Sequence, residues 1–514
     1  MATGTPKTVC VVGAGMSGLA AARELRRVGL AVTVMEQCSD VGGQWLYDPR
    51  TDADDPLGAT APVKVHSSVY ASVRLLTPRE LMGFSDFQFV PRPGRDARRF
   101  PGHRELYHYL KDFCAAFGLA DSIRLNTKVV RVAMAPPPPP ACSGSGGYKW
   151  LVRSRHVEPG GKEGVAVEEE EVFDAVVVAN GHYSQPRLPS IKGMYTWRRR
   201  QLHSHSYRVP EPFRDEVVVV VCCGESGLDI ATELCGVAKE VHLAAKSVEE
   251  ATSPAPMVSK MLAKHAGDIR LRPPVDRLCG GDDDDGTVVF ADGSSVVADS
   301  VIYCTGYTYS FPFLDTGGVV TVDDNRVGPL YEHTFPPALA PSLSFVGIPI
   351  RIFVPWFLEV QARWIALVLS GREALPPEEE MLRAVQEDYR AREAAGVPVR
   401  HTHDIGAIDG KDEIREFVYR HSDLPHMEDW KMELFMIGFV NTMEDRETFR
   451  DRDDDTENVR EGLRRWRRES VAQYEAALAA AASGGDDAAS EGDAETAMAA
   501  DSISSLKLST DDEH

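Results

Sequence analysis

Short, continuous apolar runs that end in glycine, each followed by a helical repeat, organise the chain. The first, VCVV at residues 9–12, has the length of a strand buried on both faces. Leu19, Ala20, Ala21, Ala22 and Leu25 then set a compact apolar helix face, and AVTVM at residues 31–35 predicts a second buried strand. The same order returns at residues 216–240, EVVVVVCCGESGLDIATELCGVAKE, with a strand predicted next over residues 240–245. Between the two units, Leu106, Tyr109, Leu110, Phe113 and Phe117 recur at i, i+3, i+4, i+7 spacing, an amphipathic helix within residues 100–117. Strands are predicted at residues 127–132, 149–152 and 172–181, then on both sides of the Asp292-Gly293 turn, and at residues 298–307. Strand, loop and helix follow over residues 343–364, and charged helical segments run to about residue 482. Strands alternating with helices in this way predict an α/β protein with parallel sheets.

The glycines give these runs a chemistry. Gly13, Gly15 and Gly18, with Ala14, Met16 and Ser17 between them, have G-x-G-x-x-G spacing at a strand-to-helix turn. The first permits the turn, the second lets backbone approach a pyrophosphate, and the third lets helix pack on strand. The helix start offers amide groups and a positive dipole end to phosphate. Glu36 closes the second strand roughly 20 residues on, where a carboxylate accepts from ribose hydroxyls and repels a 2′-phosphate, so this unit is expected to take FAD or NAD. In the second unit Gly224 and Gly227 keep two of the glycines, while Cys222 replaces the first, which predicts a less strained turn. Amides from Cys223 to Gly227, around Glu225 and Ser226, remain for phosphate. The following strand ends in Lys246, a cation suited to a 2′-phosphate, so the second site is expected to take NADP; the alternative is an ordinary surface lysine.

Further stretches leave two readings open. Gly42-Gly43 marks a turn after which Gln44 and Trp45 lie against a cofactor, or Trp45 plugs the core. Met82, Phe84, Phe87 and Phe89 wall a pocket or pack a core. Gly306 ends its strand as Gly181 ends its counterpart, each letting backbone approach a ligand. The helix start near residues 355–359 brings its dipole, and with it Glu359, toward a cofactor.

Length and charge narrow the function. With 514 residues the chain holds two or three domains, and a formal charge of −22 disfavours nucleic acid and anionic membrane surfaces. Nine scattered cysteines with no C-x-x-C pair fit a reducing compartment. No run reaches the ~20 apolar residues of a membrane helix, so a cytoplasmic protein without a membrane span is expected. His401 and His403 lack ligand partners, and no metal site is expected. Residues 136–140 are all proline and stand before a Gly/Ser stretch, which predicts a flexible hairpin insertion, and the acidic tail from Ser483 predicts disorder.

With these motifs in place, the chain resembles the flavin-containing monooxygenases, particularly the plant group similar to glucosinolate S-oxygenases. The resemblance runs from about Lys7 to about Arg468 and is carried by GAGMSG (residues 13–18), GGQW (42–45), PRELMGFSDF (78–87), FPGHREL (100–106), ANGHYSQPRLP (179–189), HSHSYR (203–208), YCTGYTYSFPFL (303–314), FVGIP (345–349) and EVQARW (359–364). It implies a FAD-binding domain over residues 5–190 and 330–470, interrupted by an inserted NADP-binding domain over residues 191–329, both Rossmann-like, with a tail over residues 483–514. It also implies that NADPH reduces FAD, that O2 adds to give a C4a-hydroperoxide, and that one oxygen passes to a small nucleophilic substrate, a thioether or an amine. The family's F-x-G-x-x-x-H-x-x-x-Y/F stretch reads here as Trp197, Arg199, His203 and Tyr207, and His203 is expected to be structural. Leu76 occupies the position of the family's asparagine at the flavin edge. That departure keeps open an uncoupled NADPH oxidase that releases hydrogen peroxide. An enzyme of the auxin-pathway branch and a flavin-bearing regulatory protein of low turnover also stay open. Oligomeric state is not encoded in any of these features.

Overall fold

The structure is a computed structural model and describes residues 6–136, 148–158, 167–253, 256–280, 286–406, 412–424 and 427–483. Two five-stranded parallel sheets carry it. The first has the order Leu343–Phe345, Ala175–Val178, Thr8–Val12, Ala31–Met35, Ile123–Arg124. The second has the order Ile269–Arg272, Glu240–Ala244, Val217–Val221, Ser300–Tyr303, Arg200–His203. The chain therefore leaves the first sheet after Val178, builds the whole of the second, and returns at Leu343. Both central strands are covered on two faces, which is why they read as unbroken apolar runs: Val9, Cys10, Val11 and Val218–Val220 are fully buried.

An antiparallel sheet of Thr127–Met134, Trp150–His156 and Glu168–Phe173 lies beside the first, with Leu314–Asp315 added to its edge. The proline hairpin between its first two strands and the acidic tail fall largely or wholly outside the described residues. Among the described residues, no helix is long and apolar enough to cross a membrane.

The Met16–Arg27 helix is lined by Ala20, Ala21 and Ala22, all fully buried, and these small side chains let it lie between the first sheet and the Val354–Leu369 helix. Where the two helices meet, Arg23 is buried within a carboxylate cluster. It pairs with Glu359 at 2.7 Å, with Glu24 at 2.8 Å, and with Asp86. The guanidinium lies over the rings of Phe113 and Phe117 at 5.1 and 5.0 Å. Glu359 also accepts from the Ser85 amide (2.8 Å) and hydroxyl (2.7 Å). This corrects the expectation that Glu359 faces a cofactor. Its carboxylate is fully buried and committed to Arg23, because it lies on the face of its helix turned toward the first helix. Glu359→Ala, which leaves Arg23 buried with one partner fewer, is expected to cost about 3 kcal/mol. Thermal unfolding followed by circular dichroism should show a melting temperature lowered by a few degrees.

Candidate functional site

Gly13 leaves the first strand at φ +103°, and its amide donates to the Met35 carbonyl at 2.9 Å. Gly18 packs directly against this turn, where a Cβ would lie 1.8 Å from the Gly13 carbonyl oxygen. The Leu19 amide donates one turn back to the Gly15 carbonyl at 2.9 Å, so the amides before it lie at the open end of the helix. Gly15 and Gly43 face one another: a Cβ on Gly43 would come within 2.9 Å of the Gly15 Cα, and one on Gly15 within 3.4 Å of the Gly43 Cα. Glu36 is 5% exposed and accepts from the Ala14 amide at 2.7 Å and the Cys38 amide at 2.8 Å.

These groups border a cavity of about 520 Å³, a volume within the range of cofactor sites. Gly13, Gly15, Met16, Ser17 and Glu36 line it from the first unit, and Gly43, Gln44 and Trp45 from the turn after it. Thr127, Lys128 and Arg155 of the antiparallel sheet close one end. Val354 and Leu358 place the start of the Val354–Leu369 helix at the wall, as expected, with Glu359 turned away. The two readings of Trp45 combine, since its ring lines the cavity and packs on the core. Met82 likewise does both, whereas Phe84, Phe87 and Phe89 are core residues. A bare-backbone cradle, helix-start amides and a carboxylate at the strand end form a donor set that fits a dinucleotide.

Besides Glu359, four residues expected at this site take other places. Ala14 and Gly18 support the turn from behind the wall, through the Glu36 bond and the Gly13 contact. Gly306, at φ +80°, does not line the cavity; its carbonyl accepts from the Arg187 amide at 2.9 Å, and Asn180-Gly181, on the first sheet, provides the strand end at the wall. Leu76 lies outside the lining and is 41% exposed.

Several lining residues were not singled out from the sequence. His182 accompanies Asn180-Gly181, and its Nδ1 meets the Gly347 carbonyl at 2.9 Å, while burial holds the imidazole below its ordinary pKa. Gly347, at φ +87°, would carry a Cβ 2.6 Å from the Ser17 hydroxyl. Both lie in stretches that carried the family resemblance, ANGHYSQPRLP and FVGIP, which is the signal that could have marked them.

The second turn repeats the first nearly atom for atom. The Cys222 amide donates to the Ala244 carbonyl at 3.0 Å, the Leu228 amide to the Gly224 carbonyl at 2.9 Å, and a Cβ on Gly227 would lie 1.9 Å from the Cys222 carbonyl oxygen. The expected relaxation of this turn does not occur. Cys222 has φ +88°, so a residue with a Cβ is held in the left-handed region, at a cost of about 1–2 kcal/mol. Burial pushes the neighbouring Cys223 thiol up to about 11. Glu225 opens the helix, with Ser226 and Gly227 in its first turn. Lys246 is exposed just beyond the Glu240–Ala244 strand.

His203 is fully buried, and its Nδ1 accepts from the His205 amide at 3.1 Å. Burial, with His205 beside it, holds its pKa at about 3, and burial holds His205 at about 4, so both rings are neutral at pH 7. Trp197 and Tyr207 are buried with it; the Tyr207 hydroxyl donates to Glu233 at 3.0 Å, and Arg199 pairs with Asp299 at 3.1 Å. His203 is thus packed at the end of the second sheet's edge strand, with its ring 5.2 Å from that of Tyr307. His403 is also occupied, accepting from the Val327 amide at 2.9 Å.

Comparison with known proteins accords with this geometry. The family model described as FMO-like, flavin-binding monooxygenase-like, matches residues 6–253 and 262–440. Flavin-containing monooxygenase FMO GS-OX-like 8 of Arabidopsis thaliana is 52% identical over 457 residues, which cover 89% of this chain and 94% of the relative. FMO GS-OX-like 9 of the same plant is 51% identical over 462 residues, covering 89% and 95%. Among solved structures, S-allyl-L-cysteine S-oxygenase from Allium sativum superposes with a TM-score of 0.79 at 42% identity, covering 90% of this chain and 99% of that one. The chain therefore belongs to the flavin-binding monooxygenase-like family and is an oxidoreductase of the flavin-containing monooxygenase type.

Proposed function

We propose that this chain is a cytoplasmic FAD- and NADPH-dependent monooxygenase that inserts one oxygen atom of O2 into a small soft nucleophile, by S-oxygenation of a thioether or N-oxygenation of an amine. The observation that carries this reading is the repeated turn. One scaffold occurs twice, followed by an acid (Glu36) in the first unit and by a cation (Lys246) in the second. The first therefore suits FAD and the second NADPH. A thioether is favoured over an amine by the similarity to a protein named as an S-allyl-L-cysteine S-oxygenase, since S-allyl-L-cysteine is a thioether.

In this reading Glu36 receives ribose hydroxyls, the Gly15–Gly43 cradle takes the diphosphate of FAD, and the amides at the start of the Met16–Arg27 helix donate to it. Trp45, Met82 and Leu358 exclude water from the cavity wall. At the second site the amides of Gly224 to Gly227 receive the NADPH diphosphate and Lys246 its 2′-phosphate. Bound flavin supplies the redox chemistry, passing electrons from reduced nicotinamide to O2 and one oxygen atom to the substrate. The chain's own groups bind and orient, consistent with neutral, packed His203 and His205. The second reading, an uncoupled oxidase, rests on the sequence departure at Leu76 alone, since the residue lies outside the cavity lining.

Gly15→Ala is expected to lower flavin content severalfold, read as flavin absorbance per protein, since its methyl group would fill the cradle. Lys246→Ala should narrow the preference for NADPH over NADH by about tenfold, the loss of ~1.4 kcal/mol at an exposed phosphate contact; an unchanged KM ratio places recognition of the 2′-phosphate elsewhere. Counting oxygenated product per NADPH consumed, across sulfides and amines, tests the reaction itself. A ratio near one for a sulfide supports S-oxygenation, whereas a ratio near zero with accumulating hydrogen peroxide supports the oxidase.

A further inference from the structure

The second turn is completed from a distant part of the chain. In the repeat, Glu225 stands where the first unit has Met16, and Met16 lines the first cavity. A carboxylate at this position opposes a diphosphate: it carries the same sign of charge and competes for the same helix-start dipole. Arg446, just past the Asp429–Glu444 helix, answers it. The guanidinium is 4% exposed, with Nη1 2.5 Å from Glu225 Oε2 and Nε donating to Asp229 Oδ1 at 3.0 Å. Asp229 is one helical turn beyond Glu225 and also accepts from the Tyr70 hydroxyl at 2.9 Å. The backbone around Arg446 is fastened to the same unit by Lys260–Glu444 at 3.0 Å and His265–Glu447 at 3.1 Å. The Glu225 side chain is 65% exposed. The pair thus presents an exposed carboxylate outward over a buried, fixed cation.

We infer that Arg446 is a positioning residue for the nicotinamide dinucleotide, neutralising Glu225 and holding positive charge at the diphosphate position. When the nucleotide arrives, Glu225 turns into solvent and Nη1 takes a phosphate oxygen, while Nε keeps its bond to Asp229. This rests on the assignment of NADPH to the second turn. It also explains how an acidic residue is tolerated at a phosphate-binding turn.

The test is calorimetric titration of NADP+ into the flavin-loaded protein at low and high salt, for the wild type, Arg446→Gln, Glu225→Gln and the double variant. Arg446→Gln should weaken binding about tenfold at low salt and flatten the salt dependence. Glu225→Gln should tighten binding about threefold, and in the double variant it should recover at least about threefold over Arg446→Gln. Arg446→Gln binding within about twofold of wild type, or Glu225→Gln binding no tighter, overturns the inference. Should Arg446→Gln fail to retain flavin, the exposed Glu225→Gln substitution decides alone. A wild type that does not bind NADP+ removes the NADPH assignment and this inference together. Wild-type binding with an unaltered Arg446→Gln removes only the inference.

Discussion

Both sites depend on a glycine Cα pressed against a carbonyl oxygen at the end of the preceding strand. At Gly18 and at Gly227 the position of a Cβ would fall within 2 Å of that oxygen: 1.8 Å in one case and 1.9 Å in the other. With no side chain in the way, the helix starts almost in contact with its strand, and its free amides converge beside the sheet edge. Each strand is central in its sheet, flanked on one side by the strand that follows its helix and on the other by a later strand. The crevice between those neighbours opens at the strand's C-terminal end, where such sheets hold ligands. The alanines behind the first helix and the Arg23–Glu359 cluster beyond them fix the helix from its far side.

The three glycine positions are not equivalent, and the second unit separates their roles. The last one is excluded to any side chain by direct overlap. The first requires a positive φ in both units, and in the first unit also space, since a Cβ on Gly13 would lie 2.7 Å from the Ala179 carbonyl oxygen. In the second unit the conformational requirement alone remains, and Cys222 meets it at a cost while the amide and carbonyl contacts of the turn stay as they are at Gly13. A steric requirement leaves no substitute; a conformational one does. The sequence departure at Cys222 therefore alters the energy of the turn and leaves its geometry.

The fold was most legible where burial is most complete. Strands 8–12 and 217–221 are continuous apolar runs of the kind a covered parallel sheet accommodates, and the helix carrying Tyr109 and Phe113 shows its buried stripe at helical spacing. Glu168–Phe173 was the opposite case: EEEEVF has no alternation because its charged positions are exposed and matched across the strand pair, as in Arg153–Glu170. At the site, backbone motifs were readable and side-chain direction was not. Successive helical residues are rotated by roughly 100°, so locating the helix start near Val354 left the face carrying Glu359 undetermined. Gly181 and Gly306 end equivalent strands, yet only the sheet that each strand joins decides which one reaches the cavity.

Since the two turns share one backbone, what distinguishes them is the charge placed around that backbone. At the first site a carboxylate is held at the strand end by two amides, one of them in the turn itself, so the acid and the phosphate cradle form a single rigid unit. At the second site the corresponding position is the buried Ala245, with the exposed Lys246 one residue further on, and the acid stands in the turn as Glu225, where a buried arginine from the C-terminal region opposes it. The first arrangement is built within one continuous stretch of chain and suits a resident group. The second is assembled from separated stretches over an open surface and suits a ligand that enters and leaves. On a chain with a net charge of −22, Lys246 and Arg446 put positive charge beside that turn, the sign of charge that the proposed anionic dinucleotide requires there.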